Sequence, residues 1–285
     1  MDLPPELVER AAQELNETPE TRAAGLKALL DYYEAHPEQR PYRTDAPFLI
    51  MFLRHAKFDP VKARGRLAAL ERWLVDCREE IGDVSALRGE QFRAMYEEGW
   101  IGILPQDRRT RDGAVISLLL PRHMQPMSDP ALMLRWNLWV LNRSVNDPYL
   151  QVCGQVILES FRDFSMLHSL RFQQLPHAIM KKNFKFAQEC MPFRMRGIWL
   201  VWQPKWIGFL FALAKPFLSS KLRSRVRVFG TDLAALHAVI DPAVLPTEFG
   251  GACSDTGMAW FEAEVKAEAA ELRAQDAAAA AASTE

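Results

Sequence analysis

Apolar residues recur every three to four positions through the first third of the chain, and that period predicts helices. Leu7, Val8, Ala11, Ala12 and Leu15 mark the first, after Leu3-Pro4-Pro5. Thr18-Pro19-Glu20 reads as a helix start, with proline early and an acid in the first turn. Leu26, Leu29, Leu30 and Tyr33 follow at helical spacing until His36-Pro37 stops the run. Thr44–Asp59 carries a dense apolar face at Phe48, Leu49, Met51, Phe52 and Leu53, closed by Arg54, His55 and Lys57. Asp59-Pro60 opens a further helix to about Glu80, with Ala63, Leu67, Leu70, Trp73 and Leu74 on one face. The expected result is an all-helical unit over residues 1–85.

Beyond it the pattern changes. Residues 86–110 read as a helix and then a turn, with Phe92, Met95 and Tyr96 spaced for one face. Val115–Leu120, Gly154–Phe161, Ile198–Trp202 and Val226–Phe229 are short apolar runs of strand length. Helical segments at Pro130–Leu141 and Phe172–Met191 separate them, and Thr231–Ile240 is a short helix after the last. Strands joined by crossovers of this length predict a mainly parallel sheet, hence an α/β unit over residues 86–253. From about Glu262 the chain is alanine-rich with no apolar stripe able to dock firmly, so 254–285 is expected as a frayed helix or disordered tail.

One run stands apart. Trp206–Ala214 has no charged or strongly polar side chain and is closed by Lys205 and Lys215. As a helix it spans roughly 13–14 Å, against about 30 Å for a bilayer core, so it does not cross a membrane. It also lacks the polar face of a surface helix. Exposing Trp206, Ile207, Phe209, Leu210, Phe211 and Leu213 would cost about 1.5–3 kcal/mol each. Either the run is a core helix buried all round, or it is a mobile lid over a lipid-sized cavity. In the second case the cationic residues Lys221, Arg223, Arg225 and Arg227 lie beside it to meet anionic headgroups.

Composition narrows the choice of chemistry. Net charge over 285 residues is −1, which gives no global signature of nucleic-acid binding. Cys77, Cys153, Cys190 and Cys253 are scattered without a CxxC pair, against a zinc site or a disulfide scaffold. MDLPPELVER has acids and prolines where a signal peptide needs a basic start and an apolar core, so a cytoplasmic protein is expected. No GxxxxGK, GxGxxG, GxSxG or HExxH occurs. Of six isolated histidines, His168 is the least implausible acid/base candidate, with Glu159 and Asp163 upstream, yet spacing gives it no nucleophile. The expectation is a protein without catalytic residues, metal or cofactor.

The basic residues are better organised. Arg194 and Arg196 point the same way in extended chain, and Lys221 and Arg225 share one face if helical. They form either a solvated charged face or a phosphate cradle, for which the arginine fork is suited.

Three blocks of this sequence, PFLIMFLRHAKFDPVKA, MRGIWLVWQPKWIGFLFALAKPFLSSKLRSRVRVFG and VLPTEFGG, together resemble the CRAL-TRIO (Sec14-like) lipid-transfer family. The likeness is strongest to its animal branch of α-tocopherol transfer protein and cellular retinaldehyde-binding protein. It implies a helical N-terminal unit on an α/β domain whose sheet floors an apolar cavity, closed by a gate helix at 206–218. The matching cavity positions are Asn183, Phe186, Ala187, Met191, Phe193 and Ile198, with Asn137, Val140 and Leu141 from the helix at Pro130. The gate would present Trp206, Ile207, Leu210, Phe211, Ala214 and Leu218. Phosphoinositide phosphates would be met by Arg194, Arg196, Lys221 and Arg225. The chain departs from the family at Ala56, where the pattern has an arginine.

Three functions compete at this point. The first is a non-enzymatic carrier that binds one hydrophobic ligand and releases it at phosphoinositide-bearing membranes, to which it attaches transiently. The second is a phosphoinositide-binding trafficking module that moves no cargo. The third, an α/β-hydrolase-like enzyme, is disfavoured by the missing nucleophile motif.

Overall fold

The computed structural model describes residues 3–124, 129–168, 176–206 and 220–282. The N-terminal third is four helices: α1 (Pro5–Leu15), α2 (Pro19–Ala35), α3 (Ala46–His55) and α4 (Pro60–Asp76), followed by the short α5 (Arg78–Ile81). Their starts are set by side chains that satisfy free backbone N–H groups. Thr18 caps α2 in a reciprocal box with Thr21, Asp45 accepts from Phe48 N at 3.3 Å, and Asp59 accepts from Val61 N at 3.0 Å. Arg54, at the end of α3, is almost fully buried. Its guanidinium forks onto Glu17 at 2.8 and 2.7 Å and donates a further hydrogen bond to Gln151. Glu17 also takes Arg22 at 2.7 Å. The arginine of the FLRHAKFD block therefore ties the α1–α2 turn to α8 (Pro148–Cys153).

A five-stranded sheet follows, with β1 (Ile101–Ile103), β2 (Val115–Leu119), β3 (Gln155–Ser160), β4 (Met195–Val201) and β5 (Val226–Gly230). Spatial order equals chain order; β1 is antiparallel to β2 and the remaining pairs are parallel. In such a sheet, right-handed crossovers all fall on one face. α7 (Leu132–Arg143), α8, α9 (His177–Lys185) and the short α10 (Ser220–Arg223) belong to these crossovers, and a π-helical turn at Phe186–Cys190 extends α9.

The other face is sealed by the chain after β5. Leu236 of α11 (Leu233–His237), Ile240, Leu245 and Phe249 pack on Ile116, Leu118, Val156, Leu158, Trp199 and Val201. Glu248 of the VLPTEFGG block locks this cover in place. Its carboxylate takes both terminal nitrogens of Arg122 at 2.7 and 2.9 Å and the Ser160 hydroxyl, while its carbonyl accepts from Trp202 Nε1 at 3.2 Å.

The helical unit and the crossover helices share one core. Trp73 of α4 lies 4.7 Å from Phe186 and donates to the Lys182 carbonyl at 2.9 Å, and Lys185 pairs with Asp76 at 2.6 Å. Helix α6 (Arg93–Glu97) leads into β1, against which the start of the last helix, α12 (Met258–Ala282), packs. A side chain at Gly102 would meet the Thr256 carbonyl at 1.8 Å, so only glycine lets the two backbones approach.

The alanine-rich end is helical, as one of the two sequence readings had it, and forms α12 through Ala282; its first half docks although it carries no apolar stripe. Phe261 is fully buried against Tyr96 at 4.3 Å. Glu268 accepts from Trp139 Nε1 and Gly89 N, each at 2.8 Å, and Glu264 and Glu271 pair with Arg143 at 2.8 and 2.6 Å. Docking is carried by carboxylates and two aromatic rings rather than an aliphatic stripe.

Candidate functional site: the crossover face of the sheet

Strand register sorts the sheet residues onto two faces. Ser117, Ile157 and Ile198 lie side by side across β2, β3 and β4, as do Leu119, Glu159 and Leu200. On the sealed face the corresponding side chains are buried. On the crossover face Ser117, Leu119, Gln155, Ile157, Glu159 and Ile198 all keep accessible surface. Val228 on β5 is 62% exposed. Among the described residues, Phe161 and Phe164 close this face over Leu200 at one end, and at the other Val115 joins the main core. Trp206, half-buried, packs parallel to Phe164 at 5.8 Å. A floor lined by side chains with free surface results, apolar at Leu119, Ile157 and Ile198 and polar at Ser117, Gln155 and Glu159.

Glu159 is the one ionisable side chain of these six. Among the described residues its carboxyl has no hydrogen-bond or ion-pair partner, and burial alone pushes it up to about 7. Sequence reasoning used this residue only as a neighbour of His168, although a carboxylate at an inward-alternating position of an apolar strand is the signal that could have found it. His168 itself is engaged locally: its Nδ1 accepts from Ser165 N at 2.9 Å. The raised carboxyl makes a pH prediction. The unfolded chain loses this proton near its ordinary 4.5 and the folded protein only near 7, so this group removes stability as pH rises between those values. Glu159→Gln therefore stabilises the ligand-free protein at pH 8 but not at pH 4, measured by urea denaturation at both.

The remaining candidate residues fall in distinct places. Asn137 of α7 donates to Asn183 of α9 at 2.8 Å, and Asn183 donates to the Ile179 carbonyl at 3.1 Å, so the two helices are joined by a half-buried amide pair. Val140 and Met191 are partly buried at the edge of the main core; Leu141, Phe186 and Phe193 lie inside it, with Phe186 on Trp73; Ala187 is exposed. Ile207, Leu210, Phe211, Ala214 and Leu218 lie outside the described residues, as does the side chain of Lys221. Ala56 lines an open cleft of about 830 Å³ with Asn16, Lys57, Lys62, Gly65, Arg66 and Gln188.

Arg194 and Arg196 converge, as extended neighbours two apart must. Both reach Glu14 of α1, at 2.7 and 3.2 Å, and Arg196 Nε also donates to the Cys153 carbonyl at 2.7 Å. Arg225, half-buried, has Arg196 as its charged neighbour.

The family model for the CRAL/TRIO domain matches residues 99–251, which hold all five strands and the cover after β5. The chain belongs to the CRAL/TRIO family. Clavesin-1 of Pongo abelii is 32% identical over 250 residues, spanning 87% of this chain and 69% of that protein. Clavesin-2 of Homo sapiens is 29% identical over 249 residues, spanning 87% and 75%. In fold, the crystal structure of Sfh5 superposes with a TM-score of 0.55 at 11% identity, covering 85% of this chain and 90% of that one. A CRAL/TRIO sheet with its N-terminal helical unit is thus the scaffold of the site, and no helix among the described residues is long and apolar enough to cross a membrane.

Proposed function

We propose that the protein is a non-enzymatic lipid carrier that holds one hydrophobic ligand on the crossover face of its sheet and exchanges it at phosphoinositide-bearing membranes. The asymmetry of the sheet carries this reading. One face is closed by fixed side chains, while Ser117, Leu119, Ile157 and Ile198 on the other retain surface that no described side chain fully covers and that a guest could occupy. The segment 206–218 acts as the gate. Glu159, the ionisable group on that floor, favours a cargo that brings a hydroxyl or amine donor to that depth, because a desolvated carboxyl without a partner among the described residues gains most from a charge-matched or donating one.

Transfer between vesicles tests the proposal. Fluorescent tocopherol-, retinoid- and phospholipid-type probes are loaded in donor vesicles, and acceptors are made with and without phosphatidylinositol bisphosphate. Protein-dependent transfer of one probe class, faster toward phosphoinositide acceptors, is the expected result. Vesicle binding without transfer of any probe would instead favour a trafficking module.

A further inference from the structure

On the β1 side the crossover face is bounded by aromatic rings. Ile101 of β1 stands beside Leu119 of the floor in the antiparallel register. Ile101 is buried in a cluster with Phe92, Tyr96, Trp139 and Phe261, and Leu119 packs against it. Trp136 of α7 and Trp260 of α12 lie half-buried on the surface of that cluster, as does Val140, one turn after Trp136. All three also pack against the main core, so they stand at the seam between the two, on the side of the floor that Leu119 marks.

Both rings are held in place. Trp136 Nε1 donates to the Tyr96 hydroxyl at 3.3 Å. Trp260 lies edge-on to Trp139 at 5.9 Å and near-parallel to Tyr96 at 6.4 Å. It is carried by α12, which the carboxylates of Glu264, Glu268 and Glu271 fasten to Arg143, Trp139 and Gly89. Rings fixed in this way resist displacement, because a close-packed interior does not yield to added volume. A ligand gains with each methylene it buries until it meets them; the next must push them aside or stay outside. Trp260 lies beyond residues 99–251, so this boundary is built by chain outside the part that the CRAL/TRIO model matches.

We propose that Trp136 and Trp260 form the end wall of the guest space on the β1 side and set the size of the hydrophobic ligand the protein takes. The inference rests on the carrier reading above and adds to it the two residues that limit the cargo.

Uptake is measured on the full chain by native mass spectrometry. The protein is incubated with phosphatidylcholine vesicles that carry an equimolar mixture of straight-chain primary alcohols from decanol to docosanol, and separately with phosphatidylcholines of graded saturated acyl length. Wild type is expected to hold a narrow range of chain lengths. Trp136→Ala and Trp260→Ala move the maximum to longer chains. With room for about two more methylenes, the ratio of long to short species bound rises about tenfold. Val140→Phe, which adds bulk one turn from Trp136, moves the maximum to shorter chains. Lost stability alone does not shift a maximum in opposite directions, and Leu158→Ala, weakened on the sealed face, is expected to keep the wild-type maximum. Trp260→Phe keeps a ring in the α12 contact and gives a smaller shift to longer chains, which serves where Trp260→Ala does not fold. If wild type shows a maximum and no folded wall variant moves it, the rings are packing alone: the inference fails while the carrier reading stands. Uptake of every length equally would overturn it too. If wild type takes up neither series the inference fails, and the carrier reading fails with it when the tocopherol- and retinoid-type probes are refused as well.

Discussion

Ile157→Trp abolishes cargo loading and leaves the fold standing. Ile157 is on the central strand, between Ser117 and Ile198, and its side chain points to the face with uncovered surface. An indole placed there occupies the volume the account assigns to the guest. Affinity for the transferred probe should fall at least about tenfold, one step of 1.4 kcal/mol, with the melting temperature little changed. The next residue supplies the contrast. Leu158 is fully buried on the sealed face, and Leu158→Ala leaves a cavity there that costs about 2–5 kcal/mol. Stability is lost in that variant, while cargo affinity at a temperature where it stays folded is retained. If the two adjacent substitutions behave alike, the division of the sheet into a closed and an open face is wrong.

Arg54→Ala is expected to be the most damaging single change in the helical unit. It strands the Glu17 carboxylate in the interior, leaves Gln151 without its donor, and cuts the link between the α1–α2 turn and α8. Removing one partner of a buried pair costs about 3–5 kcal/mol, chiefly because the other charge is left unpaired. Glu17→Ala should cost a similar amount. The double variant should cost much less than the sum, since neither charge is then stranded. Thermal unfolding of the three variants checks this. Additive losses would mean that the pair contributes nothing as a pair.

Much of this architecture is legible in the sequence because its causes are local. The helices α1 to α4 follow from apolar spacing together with Thr18, Asp45 and Asp59 at their starts. The four parallel strands follow from short apolar runs separated by crossover lengths. β1 is not legible, since Ile101-Gly102-Ile103 is three residues with a glycine at the centre, chosen by the approach of Thr256 rather than by strand propensity. Docking of α12 is hidden for a similar reason. Glu264, Glu268 and Glu271 look like a solvated face until Arg143 and Trp139, more than a hundred positions earlier, are brought beneath them.

The candidate site divides along the same line. Spacing alone brings Arg194 and Arg196 to one side of the chain, but the carboxylate they share is on α1, and nothing near them in sequence announces Glu14. The matched positions Leu141, Phe186 and Phe193 are apolar at the right spacing, yet their burial is decided by α4 and its neighbours, which lie far away in the chain. Faces of strands and helices can be read locally. What covers each face cannot.

Native mass spectrometry of the protein as purified tests the central claim most directly. The account predicts a mass adduct of lipid size at near one-to-one occupancy, lost on extraction with organic solvent and absent from Ile157→Trp. A protein that carries no adduct and takes up no tocopherol, retinoid or phospholipid when these are offered would contradict it.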